Sequence, residues 1–406
     1  MREIFFYLGQ PEIANHEKAP SRYTFLSALA GRTPERAPNA RWTVAAQSPP
    51  RSIVPSDMLR PSGIVSLVIG LVLGSAGVHL AGEVARSGSP EVPPPNEAIV
   101  RHEFKVNGSA IGAAFGPQNT LAVATASGNI TLLNLKNENK RVELGRTGAF
   151  PAARAVFNPR GNALAVGSVD GTVRIWENAL TSPYEAQVTL PMQEDGKYAG
   201  AVIDMAYSPN GKYLVVASST SLIRIWDVSN PSHPTALASS SQPHLVTRLA
   251  FNASGDMLAV GNTDSTVQLW DVKDPRNPRD LYGEIKAPTG VTALAFSSGR
   301  KTLAVGSSNG SVQLWDVSNP EDPSKTADAR AVGYTNDLAF NGDGYTLAAS
   351  NTNGTVRLWE DLDSLAEPRV FKRSDQQGEL SSVTFGDSRN TLAVTGTDGS
   401  VQLWAT

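Results

Sequence analysis

Cysteine is absent from the 406 residues, and histidine occurs only five times, as His16, His79, His102, His233 and His244. The first absence excludes disulfides, thiolate zinc centres, a cysteine nucleophile and a lipid-modified N-terminal cysteine; it leaves the compartment open. The second leaves too few imidazoles for a His-rich metal site. Charge of one sign is not in excess either: 35 Lys and Arg oppose 38 Asp and Glu, a net charge of −3. That balance gives no electrostatic footprint for nucleic acid, and none is expected as a partner. Walker-type Gly-Lys-Ser/Thr, H-E-x-x-H and calcium-loop motifs are missing as well. The expectation is a protein that is not an enzyme, with no catalytic residues, metal or cofactor.

Long uncharged stretches are scarce, with one exception. Ile64 to Gly82 carries no formally charged residue over nineteen positions, close to the ~20 residues a helix needs to cross a bilayer core. Gly70, Gly74, Gly77 and Gly82 argue against a stable helix in a water-soluble core. Residues 63–82 are therefore expected to form a single hydrophobic helix that anchors the chain in the cell membrane. A cleaved signal peptide, which would make the protein secreted, and a stretch of a cytoplasmic protein are the alternatives. Arg51 and Arg60 before the run, against Arg86 with Glu83 and Glu91 after it, place the N-terminus inside. The chain beyond Gly82 would then be extracytoplasmic. Residues 1–62 show no periodicity and read as an irregular, disordered arm; Met58, followed by Leu59, Arg60 and the apolar run, is a candidate true start. Residues 83–97 are rich in Pro, Ser and Glu and suit a semi-rigid spacer.

What the chain has in abundance is repetition. From residue 98 onward a unit recurs that reads approximately V-T-x-L-A-F-x-x-x-G-x-x-L-A-V-G-x-x-D/N-G-x-V-x-L-W-D-V. Six copies end at Trp176, Trp226, Trp270, Trp315, Trp359 and Trp404, spaced by 50, 44, 45, 44 and 45 residues. A seventh copy comes first and has Leu133 in place of Trp. Each unit supplies two short apolar runs and a third, alternating one, such as Val291 to Phe296, Thr302 to Ser307 and Ser311 to Trp315. Between the second and third lies Asp170-Gly171, Asn309-Gly310, Asn353-Gly354 or Asp398-Gly399, dipeptides that supply the positive φ of tight hairpins. Proline corners such as Ser318 to Pro323 then lead to a fourth, polar edge strand. Four strands per unit and seven units predict an all-β, seven-bladed propeller of four-stranded blades over 98–406. The last copy stops at Thr406 without a fourth strand, so Ala98 to Phe104 is expected to pair with Ser400 to Trp404 and close the ring.

These residues resemble the WD-repeat propellers over about three quarters of the chain. The resemblance rests on the Leu-Trp-Asp-Val ends (Leu269 to Val272, Leu314 to Val317), the Asp/Asn-Gly turns and the period. The proline corners are similar to those of bacterial members, which often follow a membrane segment in signalling chains. The family implies a non-enzymatic scaffold for protein interactions. The copies also depart from it: the Gly-His pair that usually opens a blade is missing, and the turn Asp survives only at Asp170, Asp264 and Asp398. The family's His–Ser–Asp–Trp hydrogen-bond network is therefore expected to be incomplete.

Two sets of residues are candidates for contact with something else. Arg154, Asp204, Arg248, Ala293, Asp337 and Ser382, with Gly112 in the first copy, share one position three before the aromatic that ends each first run. They are either a ring of charges along the central channel or ion pairs between blades, Arg154 with Asp204 and Asp204 with Arg248; burial of charge favours the pairs. Phe150, Tyr198, His244 and Tyr334 fall just before first strands, on loops of one rim, where aromatic residues suit a protein or peptide partner. The six repeat tryptophans, by their register, are core. An enzyme of the lactonase or peptidase kind, or a ligand-binding propeller using the channel, is the competing reading.

Overall fold

In the computed structural model the described residues are 96–97, 99–136, 141–147, 150–179, 188–194, 197–198, 200–330, 333–366, 368–372, 378–386 and 391–405. The arm over 1–62, the apolar run at 64–82 and residues 83–95 lie outside them. Among the described residues no helix is long and apolar enough to cross a membrane.

Seven sheets form the blades, each with four antiparallel strands, and the sixth carries a fifth, two-residue strand at its edge. The innermost strands are, in order, Ala110–Gly116, Ala152–Phe157, Val202–Tyr207, Val246–Phe251, Val291–Phe296, Thr335–Phe340 and Leu380–Phe385. Each packs against the innermost strand of the next blade, and the seventh packs against the first. Second strands such as Thr120–Thr125 and Ala163–Ser168 are buried along their whole length, so they read as continuous apolar runs. Fourth strands such as Arg141–Arg146 and Ser324–Arg330 face solvent and carry charge, which discourages a further strand from pairing.

The ring closes as the sequence leads one to expect. Ile99–Lys105 pairs antiparallel with Ser400–Ala405, with Phe104 opposite Val401 and Val100 opposite Trp404. Two features differ from expectation. Asn96–Glu97, read as the end of a spacer, pairs in parallel with Arg369–Lys372, the outer strand of the sixth blade. The unusual spacing of 50 residues before Trp226 houses a small extra hairpin, Gln193–Glu194 with Lys197–Tyr198.

The core lies between blades rather than within them. Trp176 of the second blade packs with Ala122, Ile130 and Leu132 of the first, and Trp404 packs with Leu358 and Phe371 of the sixth. Trp176, Trp226, Trp270, Trp359 and Trp404 are buried and Trp315 is half-buried. The indole N–H groups of Trp176, Trp226 and Trp270 have no partner among the described residues. Those of Trp315 and Trp404 donate to Gln313 and Gln402 two residues earlier, and that of Trp359 donates to the Leu365 carbonyl. Among the described residues no serine or threonine hydroxyl takes this role in any of the six. The stability of the ring therefore rests on apolar contact between blades.

Candidate functional site

Every inner strand is interrupted at the same place. The register shifts between Ala110 and Gly112, Ala152 and Arg154, Val202 and Asp204, Val246 and Arg248, Val291 and Ala293, Thr335 and Asp337, and Leu380 and Ser382. A bulge of this kind bends a strand and re-aims the side chain that follows it. Here that side chain is the shared ring position each time. The bulged residues Ile111, Ala153, Ile203, Asn336 and Ser381 line a cavity of about 120 Å³ at the end of the channel where the inner strands begin. Arg154, Asp204, Arg248 and Glu379 complete its charged lining.

Both readings of the ring position hold in part. Arg154 Nε lies 3.1 Å from Asp204 Oδ1, between the second and third blades. The contact is off the N–H direction, so it is Coulombic rather than a hydrogen bond. Asp204 does not form the expected second pair with Arg248. Its other oxygen accepts the Leu249 N–H at 2.8 Å, while Arg248 donates to the carbonyls of Thr247 and Asn336. The reach to the sixth blade passes Ala293, which is too short to intervene. Asp337 accepts the Val383 N–H at 3.2 Å, and Ser382 accepts the Ala113 N–H at 3.2 Å. In three blades, then, the ring side chain hooks the backbone of the next blade, one residue beyond that blade's ring position. Burial raises the Asp337 pKa despite the opposing fields of Arg154 and Arg248. Burial lowers that of Arg248, with help from Arg154 and against Asp204 and Asp337. For Arg154 burial also acts downward, but Asp204 and Asp337 outweigh it and the net shift is upward. Two guanidiniums and two carboxylates hold one another in a neutral array across the channel.

Phe150, His244 and Tyr334 lie outside the lining of this cavity. Phe150 is 48% exposed and Tyr334 36%. Their loops are tied to the hairpin turns of the same face: Thr147, whose hydroxyl donates to the Phe150 carbonyl, donates its own N–H to the Gly128 carbonyl, and the Tyr334 N–H donates to Thr352 Oγ1. His244 Nε2 lies 3.2 Å from Asp264 Oδ2, so the one blade with a rim histidine pairs it with the turn aspartate. Tyr198 sits in the extra hairpin on the approach to the third blade. Asp170, Asp264 and Asp398 each accept from the backbone N–H two residues on, which is a turn-closing role. Sequence reasoning overlooked the bulged residues, whose types share no chemistry. It also overlooked Tyr282, 89% exposed on the fourth blade's outer strand.

Against the expectation that G-x-S-x-G is absent, one such spacing does occur in the chain. Gly306-Ser307-Ser308-Asn309-Gly310 matches G-x-S-x-G, but Ser308 lies on a turn between antiparallel strands rather than a strand-to-helix elbow. Its hydroxyl donates to Thr289 Oγ1 at 3.0 Å. Among the described residues no group of three or more His, Asp or Glu could hold a metal ion.

Comparison with known proteins gives two family matches. Residues 204–364 match the family described as nucleolar protein 10-like, N-terminal domain, and residues 151–177 match the WD domain, G-beta repeat. Among curated relatives, Protein hir1 of Emericella nidulans is 29% identical over 103 residues, 25% of this chain and 10% of its own length. COMPASS component SWD1 of Saccharomyces cerevisiae is 31% identical over 78 residues, 19% of this chain and 17% of its own. WD repeat-containing protein 1 of Mus musculus is 29% identical over 120 residues, 29% of this chain and 18% of its own. The chain thus spans less than a fifth of each of these relatives. Among solved structures, a chain of the mitotic checkpoint complex superposes with a TM-score of 0.64 at 16% identity, covering 82% of this chain and 99% of that one. The Cps50 (Swd1) β-propeller domain of Myceliophteria thermophila superposes at 0.63 and 18% identity, covering 77% and 100%. At such identities the structures speak for the fold. In repeat and fold, and in sequence over 151–177 and 204–364, the chain is similar to the WD-repeat β-propellers.

Proposed function

We propose that this chain is a non-enzymatic scaffold that takes a protein or peptide partner on the face where its inner strands begin. The observation that carries the reading is the contrast between the channel and its surround. The channel cavity, about 120 Å³, is well below the roughly 300–1,000 Å³ of small-molecule sites, and its two guanidiniums are offset by the carboxylates of Asp204 and Asp337. Around it the rim presents Phe150, Tyr334 and His244 to solvent. Exposed aromatic groups on a rigid ring are the ordinary anchors of protein interfaces. The similar proteins SWD1, named as a COMPASS component, and the propeller of the mitotic checkpoint complex sit in multi-protein assemblies, which supports a partner of the same kind.

The membrane part of the proposal concerns residues 64–82, an uncharged run that would hold the propeller at the cell membrane on its extracytoplasmic side. The hir1, SWD1 and WD repeat-containing relatives are eukaryotic, and they give no support to a bacterial signalling setting. The partner surface is tested by proximity labelling from the full chain and from a Phe150→Ser, His244→Ala, Tyr334→Ser variant. The labelled set should lose its dominant members in the variant while the melting temperature stays unchanged. An identical labelled set would sink the rim as the contact surface.

A further inference from the structure

Six of the seven seams between blades are filled by an indole, and the seventh is not. At the seam between the seventh and first blades Leu133 takes the tryptophan position, in one apolar cluster with Phe115, Leu135 and Leu403. Two further departures fall on the same seam. In the second to sixth blades the turn after the inner strand opens with a polar side chain, and in the second and fifth that side chain ties it to the next blade. Asn158 Nδ2 donates to the Gly211 carbonyl, and Ser297 Oγ donates to the Gly344 carbonyl. In the seventh blade that residue is Gly386, which has no side chain to donate. The corresponding turn of the first blade is one residue shorter, leaving Gln118 and Asn119 both at positive φ, 57° and 58°.

The result is a cleft of about 370 Å³ lined by Arg101, His102, Phe115, Asn119, Leu135 and Leu403, with Gly116, Gly386 and Thr391 between them. It lies where the inner strands end, at the opposite end of the ring from the rim aromatics. Its volume is within the range of sites that hold a ligand group, and three apolar side chains, Phe115, Leu135 and Leu403, face four polar ones, Arg101, His102, Asn119 and Thr391. Arg101 is exposed at the cleft and has no ion-pair partner among the described residues.

We propose that this seam is a second docking site, taking an aromatic side chain of a partner protein with a carboxylate beside it. The ring itself shows which group suits such a seam: in the other six blades the chain's own tryptophan packs against the same faces. Here the chain supplies the smaller Leu133, which is buried and shares its apolar cluster with the cleft residues Phe115, Leu135 and Leu403. Arg101 selects for negative charge next to the ring, because a guanidinium pairs a carboxylate with two N–H groups at once.

The test uses the full chain and N-acetyl-5-fluorotryptophan as the probe, observed by fluorine NMR. Saturable broadening at millimolar concentration is expected, with neutral fluoroindole binding more weakly. Arg101→Ala should weaken the acidic probe about tenfold, the size of one exposed charge-assisted contact, and leave fluoroindole unchanged. Leu133→Trp restores the indole of the other blades and should abolish binding of both probes. Should that variant fail to fold, as judged by circular dichroism, Leu135→Phe fills the cleft from the end of the same strand and should also abolish binding. Absence of saturable binding to the wild-type chain, or unchanged binding in a folded, filled variant, overturns the proposal. The rim triple variant should bind both probes normally, which separates failure of this site from failure of the rim.

Discussion

At the scale of single residues, the ring position shows how one sequence slot does two jobs. Asp204 is almost wholly buried, 1% exposed, and its two oxygens serve two neighbours, Arg154 and the Leu249 N–H. Ser382, 2% exposed, makes the same kind of hook with a neutral hydroxyl. The difference in charge fixes the difference in cost. Asp204→Ala leaves a guanidinium and a buried N–H unpaired, and should cost about 3 kcal/mol, the lower end for a broken buried pair because Arg154 is 28% exposed. Ser382→Ala leaves one backbone donor unmatched and should cost about 1–2 kcal/mol. Urea denaturation of the two variants gives the comparison. The pair Arg154→Met with Asp204→Leu should recover much of the Asp204→Ala loss, since it removes both charges together. Equal costs for the two single variants would mean that the charged hook is no stronger than the neutral one.

At the scale of elements, the closing strand finds its partner at the far end of the chain. Ile99–Lys105 covers the third strand of the seventh blade across its whole length and removes an edge that would otherwise remain open. Deleting residues 98–105 should therefore expose the seventh blade first. Limited proteolysis should cut within residues 380–405 before any other region, and a retained wild-type digestion pattern would refute this role. The closing strand was legible because two incomplete units at opposite ends of a repeat must complete each other. The blades were legible for a related reason: seven copies in register average out the weakness of each short apolar run. The seven bulges were not, because a bulge is set by how the backbone turns beside the channel, and Ile203, Thr247 and Asn336 share no side-chain chemistry. The parallel pairing of Asn96–Glu97 was hidden as well, since two residues carry no period. In the same way the ring position was legible as a column of Arg, Asp and Ser, whereas the choice of Arg248 to bond carbonyls rather than Asp204 depended on the short Ala293 beside it.

At the scale of the whole molecule, the path of the chain into the ring decides which surfaces are free. Asn96–Glu97 lies on the outer strand of the sixth blade, and Ile99–Lys105 is the outer strand of the seventh. Both described segments of the entering chain thus lie at the circumference, and Ile99–Lys105 itself contributes Arg101 and His102 to the cleft at the seam. On the proposal that residues 64–82 span a bilayer, residues 83–95 are the tether. Thirteen residues extend to at most about 45 Å, enough to let a propeller turn either face toward a partner. The expected outcome is sedimentation of the full chain with membranes, resistant to high salt and carbonate. Protease added outside intact cells should release a fragment that begins within residues 83–95 and keeps the whole ring. Deletion of residues 64–82 should move the protein to the soluble fraction with its melting temperature unchanged. Release of the intact chain by salt alone, or a propeller protected from external protease, would overturn the membrane-anchored, extracytoplasmic placement and leave the ring as a scaffold in another setting.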